Sequence, residues 1–98
     1  MNTYPHLAEA LSKVIEILRK EKKMTKSSLA DFACLQRRYL LAIEQGTKKP
    51  TVNAVYSICS ALGVPPLEFF RLVTLEIERL EQNQARRPPA EDRKDSAD

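Results

Sequence analysis

Apolar residues recur along most of the chain at intervals of three and four positions, which is the period of an α-helix. Over residues 6–22 they fall on one face, and lysines at the end of this stretch complement the helix dipole. That face carries Leu7, Leu11, Val14, Ile15 and Leu18. No stretch shows the alternation of apolar and polar residues that is typical of a β-strand. The pattern therefore predicts an all-α protein with five helices.

Capping signals mark the ends of the next two predicted helices. Thr25 can accept a hydrogen bond from an amide in the following turn, so it is a suitable N-cap for a helix over residues 26–33. A third helix is predicted over residues 36–45, where Gly46 offers the left-handed conformation that helix ends commonly need. These two short helices would be joined by a tight turn.

The fourth predicted helix begins after Thr51, which is a suitable N-cap, and ends at Gly63. Two prolines then separate it from a fifth helix within residues 65–86. The predicted core face of the fourth helix is formed by Val55, Ile58, Cys59 and Leu62. Residues 87–98 contain proline, alanine and charged residues without apolar periodicity, so we expect a disordered tail.

The fifth predicted helix is apolar around much of its circumference. Its three- and four-residue steps form a seam that suits a partner helix, and a second apolar set occupies neighbouring faces. The seam consists of Phe70, Val73, Ile77 and Leu80, and the second set consists of Leu67, Phe69, Leu72 and Leu75. We expect dimerisation through the seam. The alternative is that all these residues close the core of a monomer.

Composition and charge narrow the function. Ninety-eight residues allow one small domain, and two cysteines without CxxC spacing, signal peptide or long apolar span favour a reducing cytoplasm and no membrane. Net charge is only +3, but residues 19–49 hold nine lysines and arginines against three acids. This local excess favours a polyanion as partner, although a solvated basic face is the alternative.

The segment 25–50 has the spacing of a helix-turn-helix, a shape suited to reaching DNA bases. Small Ala30 stands where the two helix axes must approach closely, and apolar Leu29, Leu40 and Ile43 stand where the helices pack inward. Over roughly residues 9–70 the pattern resembles the lambda-repressor-like domains of Cro proteins and phage repressors. The resemblance implies a five-helix fold that consists of a DNA-binding domain in residues 1–64, with the helix-turn-helix at 26–45, and an extended C-terminal dimerisation helix in residues 65–86.

The N-terminal turn of the third helix would present its side chains to base edges in the major groove. Arginine can donate two hydrogen bonds to guanine, so Arg38 is the first candidate for base reading; Arg37 can do the same or grip a phosphate. Gln36 can pair with adenine or cap its own helix. Tyr39 can contact a phosphate or a thymine methyl, or pack half-buried.

Affinity for DNA is expected to come mainly from phosphate contacts. Basic and polar residues lie at the start of the second helix, in the loop after the third and at the start of the fourth. They are Lys26, Thr47, Lys48, Lys49, Thr51 and Asn53. For the lysines, ordinary solvation is the alternative.

The resemblance also implies structural features. Arg19 and Glu44 occupy positions that pair across the first and third helices, so Glu44 would be a structural ion-pair partner. Lys23 and Cys34 stand where glycine is common, so the backbone there either avoids positive φ or carries strain. Cys34 is a candidate redox sensor, with a small apolar turn residue as the alternative.

Catalysis finds little support in the sequence. His6 is the only histidine, is expected to be solvated, and has no nucleophile or ligand cluster at useful spacing. With two glycines there is no phosphate-binding loop. We therefore predict no catalytic residue, metal, cofactor or small-molecule substrate.

These observations favour a homodimeric transcriptional regulator that binds an inverted repeat in double-stranded DNA, most simply as a repressor. The size and long last helix are similar to those of controller proteins of restriction-modification systems. A phage-type repressor or an antitoxin-like autoregulator fits nearly as well. The alternative from another class is a protein-interaction module that docks a partner through the C-terminal helix.

Overall fold

The computed structural model describes residues 4–85, and this part folds into five α-helices joined by short turns, as the apolar pattern predicts. The helices are α1 (Leu7–Glu21), α2 (Lys26–Phe32), α3 (Arg37–Glu44), α4 (Val52–Leu62) and α5 (Pro66–Ala85). No single helix in these residues has the length and apolar content to cross a membrane; α4 and α5 meet that criterion only together, across a 106° bend. The predicted tail at 87–98 lies outside the described residues.

The capping prediction is confirmed at both threonines. Thr25 Oγ1 accepts a hydrogen bond from the amide of Ser28 at 3.0 Å, and Thr51 Oγ1 accepts one from the amide of Ala54 at 3.0 Å. Each bond satisfies an amide that the first helical turn leaves without a backbone partner. Gly63 ends α4 with φ of 72°, as expected for a left-handed C-terminal glycine.

In the part of the chain that the structure describes, three residues other than glycine adopt positive φ. Lys23 and Cys34 have φ of 57° and 58°. At both of these positions, where glycine is common in the family that the chain resembles, the backbone therefore carries strain instead of avoiding positive φ. His6, at the start of α1, has φ of 65°. It is half-buried, and its Nε2 lies 3.0 Å from Oε1 of the exposed Gln84, so the histidine that was expected to be solvated also has a side-chain partner. This contact joins the start of α1 to the end of α5, which run antiparallel.

A single core lies between the helices. α1 packs against α3 and α5, while α2 packs against α3 and α4. The largest fully buried side chains are Phe69, Ile15, Leu29, Leu40, Ile43, Ile58, Leu62 and Cys59. Every helix contributes to this set, so the position of α3 depends on all its neighbours.

A buried ion pair fixes α3 to α1. Arg19 Nε donates to Glu44 Oε2 at 2.9 Å and Nη2 donates to Oε1 at 3.2 Å, while Nη1 donates to the Met24 carbonyl at 2.8 Å. The two side chains are only 8% and 3% exposed. The hydroxyl of Ser12 adds a hydrogen bond to the carbonyl of Glu44. The pairing implied by the family resemblance is therefore present.

The predicted partner-facing seam of α5 needs correction. Val73 is 3% exposed and belongs to the core of the chain, and Ile77 and Leu80 are half-buried against that core. Only Phe70, 41% exposed, presents substantial apolar surface; it packs edge-on against buried Phe69 with ring centroids 5.5 Å apart. Periodicity placed these residues on one face correctly, but most of that face is turned towards α1.

We expect the buried ion pair to contribute strongly to stability. Arg19→Met leaves the Glu44 carboxylate buried without its partner, which should lower the free energy of unfolding by about 3–5 kcal/mol. Urea denaturation followed by circular dichroism measures this. Arg71→Met is the control, because Arg71 pairs with Glu68 at the surface and its loss should change little.

The double variant Arg19→Met/Glu44→Leu separates pairing from packing. Because it leaves no unpaired buried charge, it should recover much of the lost stability. A single Arg19→Met variant as stable as the Arg71→Met control would contradict the structural role of the pair.

Candidate nucleic-acid interface

α2 and α3 form the predicted helix-turn-helix. Ala30 is completely buried where the two helices approach, and the amide of Leu35 donates to the Ala30 carbonyl at 2.9 Å. Cys34 supplies the left-handed residue that turns the chain between the helices. The inward-packing residues Leu29, Leu40 and Ile43 are all buried. The rigid α2–α3 unit therefore leaves the opposite side of α3 facing outward.

The N-terminal turn of α3 is exposed. Gln36 is its N-cap by backbone geometry, with φ of −68° and ψ of 139°, but its side chain makes no capping bond. The Gln36 side chain therefore does not cap its own helix, which leaves it free for the other predicted role of pairing with adenine. Arg38 is exposed and takes part in none of the ion pairs found in residues 4–85. Both side chains are thus available to an external partner.

Arg37 differs from its neighbour. Its Nη2 lies 3.3 Å from Asp31 Oδ2, and both side chains are more than 60% exposed, at 66% and 62%. An exposed pair of this kind is weak and easily exchanged. Asp31 therefore directs Arg37 towards α2 in the free protein without preventing contact with a phosphate or a base.

Tyr39 links α3 to the start of α4. Its ring is half-buried, and its hydroxyl oxygen accepts a hydrogen bond from the Thr51 amide at 3.2 Å. Since the oxygen accepts, the hydroxyl proton is still free to be donated. Among its predicted roles, half-buried packing is present, and the ring holds the N-terminus of α4 beside α3. This link was not predicted from the sequence, because no periodicity signals a contact between a tyrosine hydroxyl and a distant amide.

The basic candidates surround this surface. Lys26 is exposed in the first turn of α2, and Lys48 and Lys49 are exposed in the loop between α3 and α4. A concavity with a volume of about 510 Å³ lies on the exposed side of α3. It is lined by Cys34, Leu35, Gln36, Arg38, Tyr39, Ala42 and Lys48. The structure thus brings one loop lysine together with the candidate reading residues.

Two threonines in the predicted phosphate set have structural partners. In the free protein the Thr47 hydroxyl donates to the Ala42 carbonyl at 3.1 Å and so closes the end of α3. The side chain of Thr51 caps α4, as described above. Asn53 is exposed in the first turn of α4, where helix amides have no backbone acceptor. The amides of residues 52 and 53 therefore provide further hydrogen-bond donors for an anion at this end of the surface.

Within residues 4–85 there is no group of three or more histidine, cysteine, aspartate or glutamate residues that could hold a metal. Cys34 is exposed, whereas Cys59 is fully buried, and burial raises the pKa of the Cys59 thiol.

Comparisons with known proteins agree with this geometry. A family model described as helix-turn-helix matches residues 15–69, which is more than half of the chain. The immunity repressor protein of Bacillus phage phi105 is 38% identical over 50 residues, covering 51% of this chain and 35% of the repressor. The chain thus spans about a third of the length of that relative.

Two further similarities cover larger parts of the other protein. An uncharacterized HTH-type transcriptional regulator of Sinorhizobium fredii is 35% identical over 51 residues, covering 52% of this chain and 66% of the regulator. A restriction-modification controller protein, solved as a tetramer in complex with its natural 35 base-pair operator, is 32% identical, with a TM-score of 0.69. That match covers 78% of this chain and 97% of the controller chain.

The two cysteines should differ sharply in reactivity. A thiol-specific chromogenic disulfide should modify one thiol per chain in the native protein, because Cys34 is exposed and Cys59 is buried with a raised pKa. Both should react in denaturant. Cys34→Ser should abolish the native reaction; rapid modification of that variant without denaturant would show that Cys59 is accessible.

Proposed function

The chain belongs to the helix-turn-helix family, and we propose that it is a sequence-specific DNA-binding regulator of transcription that acts as a homodimer. The observation that carries this proposal is the exposed N-terminal turn of α3, where Gln36 and Arg38 lie beside Lys48 and Arg38 makes no ion pair within residues 4–85. Such a helix end suits insertion into the major groove. The regulators named above support the role.

Base reading is assigned mainly to Arg38 and Gln36. A bidentate contact from arginine to guanine, or from glutamine to adenine, is worth roughly 1–3 kcal/mol of discrimination. Arg37 joins them only if it leaves Asp31, which costs little at an exposed pair. Leu41, 39% exposed on the next turn, can offer only apolar contact to a thymine methyl. Recognition by each α3 should therefore be confined to few base pairs.

Phosphate contacts are assigned to both ends of the reading surface. Lys26 stands at the start of α2, while Lys48 and Lys49 precede α4. The N-terminus of α4 adds two amides without backbone acceptors, and the Tyr39 hydroxyl holds that terminus in place beside α3. Binding through these groups should weaken steeply as salt rises, because phosphate contacts release condensed counterions.

Dimerisation is assigned to the exposed apolar patch at the start of α5. This Leu67–Phe70 patch consists of Leu67, 84% exposed, and Phe70, 41% exposed, and a concavity beside it is lined by Pro65, Glu68, Arg71 and Thr74. We assign the dimer contact to this patch instead of the predicted seam, because Val73 of that seam is buried in the core of the chain. Two reading helices related by a two-fold axis would bind half-sites about 10 bp apart or a multiple of that spacing.

Repression by occluding a promoter is the simplest mechanism for such a dimer, and it would operate in the cytoplasm. The controller protein in complex with its own operator makes autoregulation a specific form of this proposal. The phage repressor supports repression in general. The genes next to this one would distinguish among a controller, a phage-type repressor and an antitoxin.

Base and phosphate contacts predict different responses to substitution. Lys48→Ala should weaken binding to all duplexes and reduce the slope of log affinity against log salt by about one unit. Arg38→Ala should weaken binding to a duplex selected by the wild-type protein by roughly 1–3 kcal/mol and affect random duplexes less. Fluorescence anisotropy across a salt series measures both.

Lys13→Ala is the matched control for the lysine. Lys13 lies beside Glu9, Glu16 and Glu76, on the α1–α5 side of the molecule, so its removal should leave DNA binding nearly unchanged. Equal effects of Arg38→Ala on selected and random duplexes would favour the protein-interaction alternative over sequence-specific regulation.

The dimer assignment is tested in solution. Leu67→Lys should lower the sedimentation mass from dimer to monomer, because it places a charge in the apolar patch. Gln82→Lys, at an exposed position near the end of α5, is the control and should stay dimeric. A dimeric Leu67→Lys variant would move the interface elsewhere.

A further inference from the structure

A second apolar surface lies on the opposite flank of α5, in the groove that this helix forms with α1. The groove encloses about 500 Å³. Its floor is apolar, with Val14, Leu18, Val64 and Leu72, and its exposed walls are Ile17 and Leu75. These two wall residues are 42% and 48% exposed, so a considerable apolar surface meets solvent.

Charged residues close the two ends of this surface along α5. Glu68 precedes the leucines and pairs with Arg71 at 2.8 Å, and Arg79 follows them and pairs with Glu76 at 2.6 Å. Hydrogen bonding to these partners lowers the pKa of Glu68 and raises the pKa of Arg79. Both groups therefore remain charged at neutral pH.

Along α5, the order of acidic, apolar and basic residues on this surface is complementary to the same order read in the opposite direction. Glu68, Leu72, Leu75 and Arg79 follow one another at steps of four, three and four, which keeps them on one stripe of the helix. If a second α5 lies antiparallel across this stripe, Leu72 meets Leu75 of the other copy at the centre. Glu68 then meets Arg79 of the other copy at each end. In a parallel arrangement, like charges would meet instead.

We propose that the α1–α5 groove receives a second copy of this chain, through antiparallel packing of the Glu68–Leu72–Leu75–Arg79 stripe against itself. Each end of the contact then holds four alternating charges, since Glu68 and Arg79 keep their own partners, Arg71 and Glu76. Apolar contact between the leucines supplies attraction, and the charges fix the direction of packing. Ile17 of α1 lies beside the stripe and widens the contact.

This surface differs from the Leu67–Phe70 patch, and of the residues that line the two only Glu68 borders both. At 3.6 residues per turn, the midpoints of the two surfaces lie about 140° apart around the axis of α5. A chain that uses both is a dimer whose two outward grooves can each receive another dimer. Two self-complementary interfaces of this kind produce a larger closed or linear assembly. The inference goes beyond the proposed function, because DNA binding by one dimer does not require it.

Sedimentation velocity of the full chain over a wide concentration range tests the groove. The wild-type protein should form a reversible species larger than the dimer as concentration rises. Leu75→Lys should reduce that association at least ~10-fold, because it places a cation at the centre of the stripe. Ser27→Ala, at an exposed position of α2 away from α5, is the control and should assemble as the wild type does.

Charge reversal gives the sharpest evidence. Glu68→Arg alone sets arginine against arginine at both ends of the contact, and Arg79→Glu alone sets glutamate against glutamate, so each variant should lose the larger species. An equal mixture of the two variants should regain it, because every end then joins opposite charges. Recovery on mixing is not expected from a merely structural effect of either substitution.

Three results overturn the proposal. They are the absence of any species larger than the dimer in the wild type, an unchanged mass distribution for Leu75→Lys, and no recovery on mixing; each would leave the groove to another occupant. Because all these variants keep α3 intact, each should still bind DNA. Failure of the wild type to bind any DNA sequence specifically would refute the proposed function but leave the self-association result unchanged.

Discussion

The fold depends on one buried guanidinium. Arg19 reaches from the last turn of α1 to both carboxylate oxygens of Glu44 at the end of α3, and to the Met24 carbonyl just before α2. One rigid group therefore sets the positions of three helices. Burying a carboxylate and a guanidinium is costly unless nearly all their hydrogen bonds are made, so the pair tolerates little displacement. α3 consequently presents its outer side in a fixed direction.

A second, weaker interaction, the hydrogen bond between Tyr39 and Thr51, fixes the exposed start of α4 relative to α3. The Tyr39 hydroxyl accepts from the Thr51 amide, so the start of α4 is held beside the start of α3. Base-reading side chains and phosphate-binding amides thereby become parts of one preorganised surface, which lowers the entropy lost on binding. The Asp31–Arg37 pair is different, because it is exposed and can be exchanged for a contact with DNA.

Local chemistry made much of the fold predictable. The helix starts at Thr25 and Thr51 follow from hydroxyl caps, and the end of α4 follows from Gly63, because each signal acts within one turn of the chain. The Arg19–Glu44 pair was accessible through the family resemblance rather than through spacing. The exposed turn of α3 and its basic neighbours were also predicted correctly as a group, although their individual roles in binding remain proposals.

Contacts between distant segments were not predictable in this way. A three- and four-residue repeat shows that Phe70, Val73, Ile77 and Leu80 share a face, but it cannot show that α1 covers most of that face. Likewise, the Thr47 hydroxyl was expected to contact phosphate and His6 to contact solvent. Nothing near them in the sequence indicates the hydrogen bond from Thr47 to the Ala42 carbonyl or the contact of His6 with Gln84. Positive φ at Lys23 and Cys34 was one of two open alternatives, since a side chain disfavours that conformation without forbidding it.

The most direct test of sequence-specific regulation is selection of bound sites from a random duplex library at physiological salt, followed by sequencing of the survivors. Salt matters because phosphate contacts alone give appreciable binding at low ionic strength. We expect enrichment of an inverted repeat whose half-sites are separated by a regular spacing and each contain a short conserved core. Recovery of duplexes with no common sequence, from protein that is folded and dimeric, would contradict the assignment of α3 as a base-reading helix.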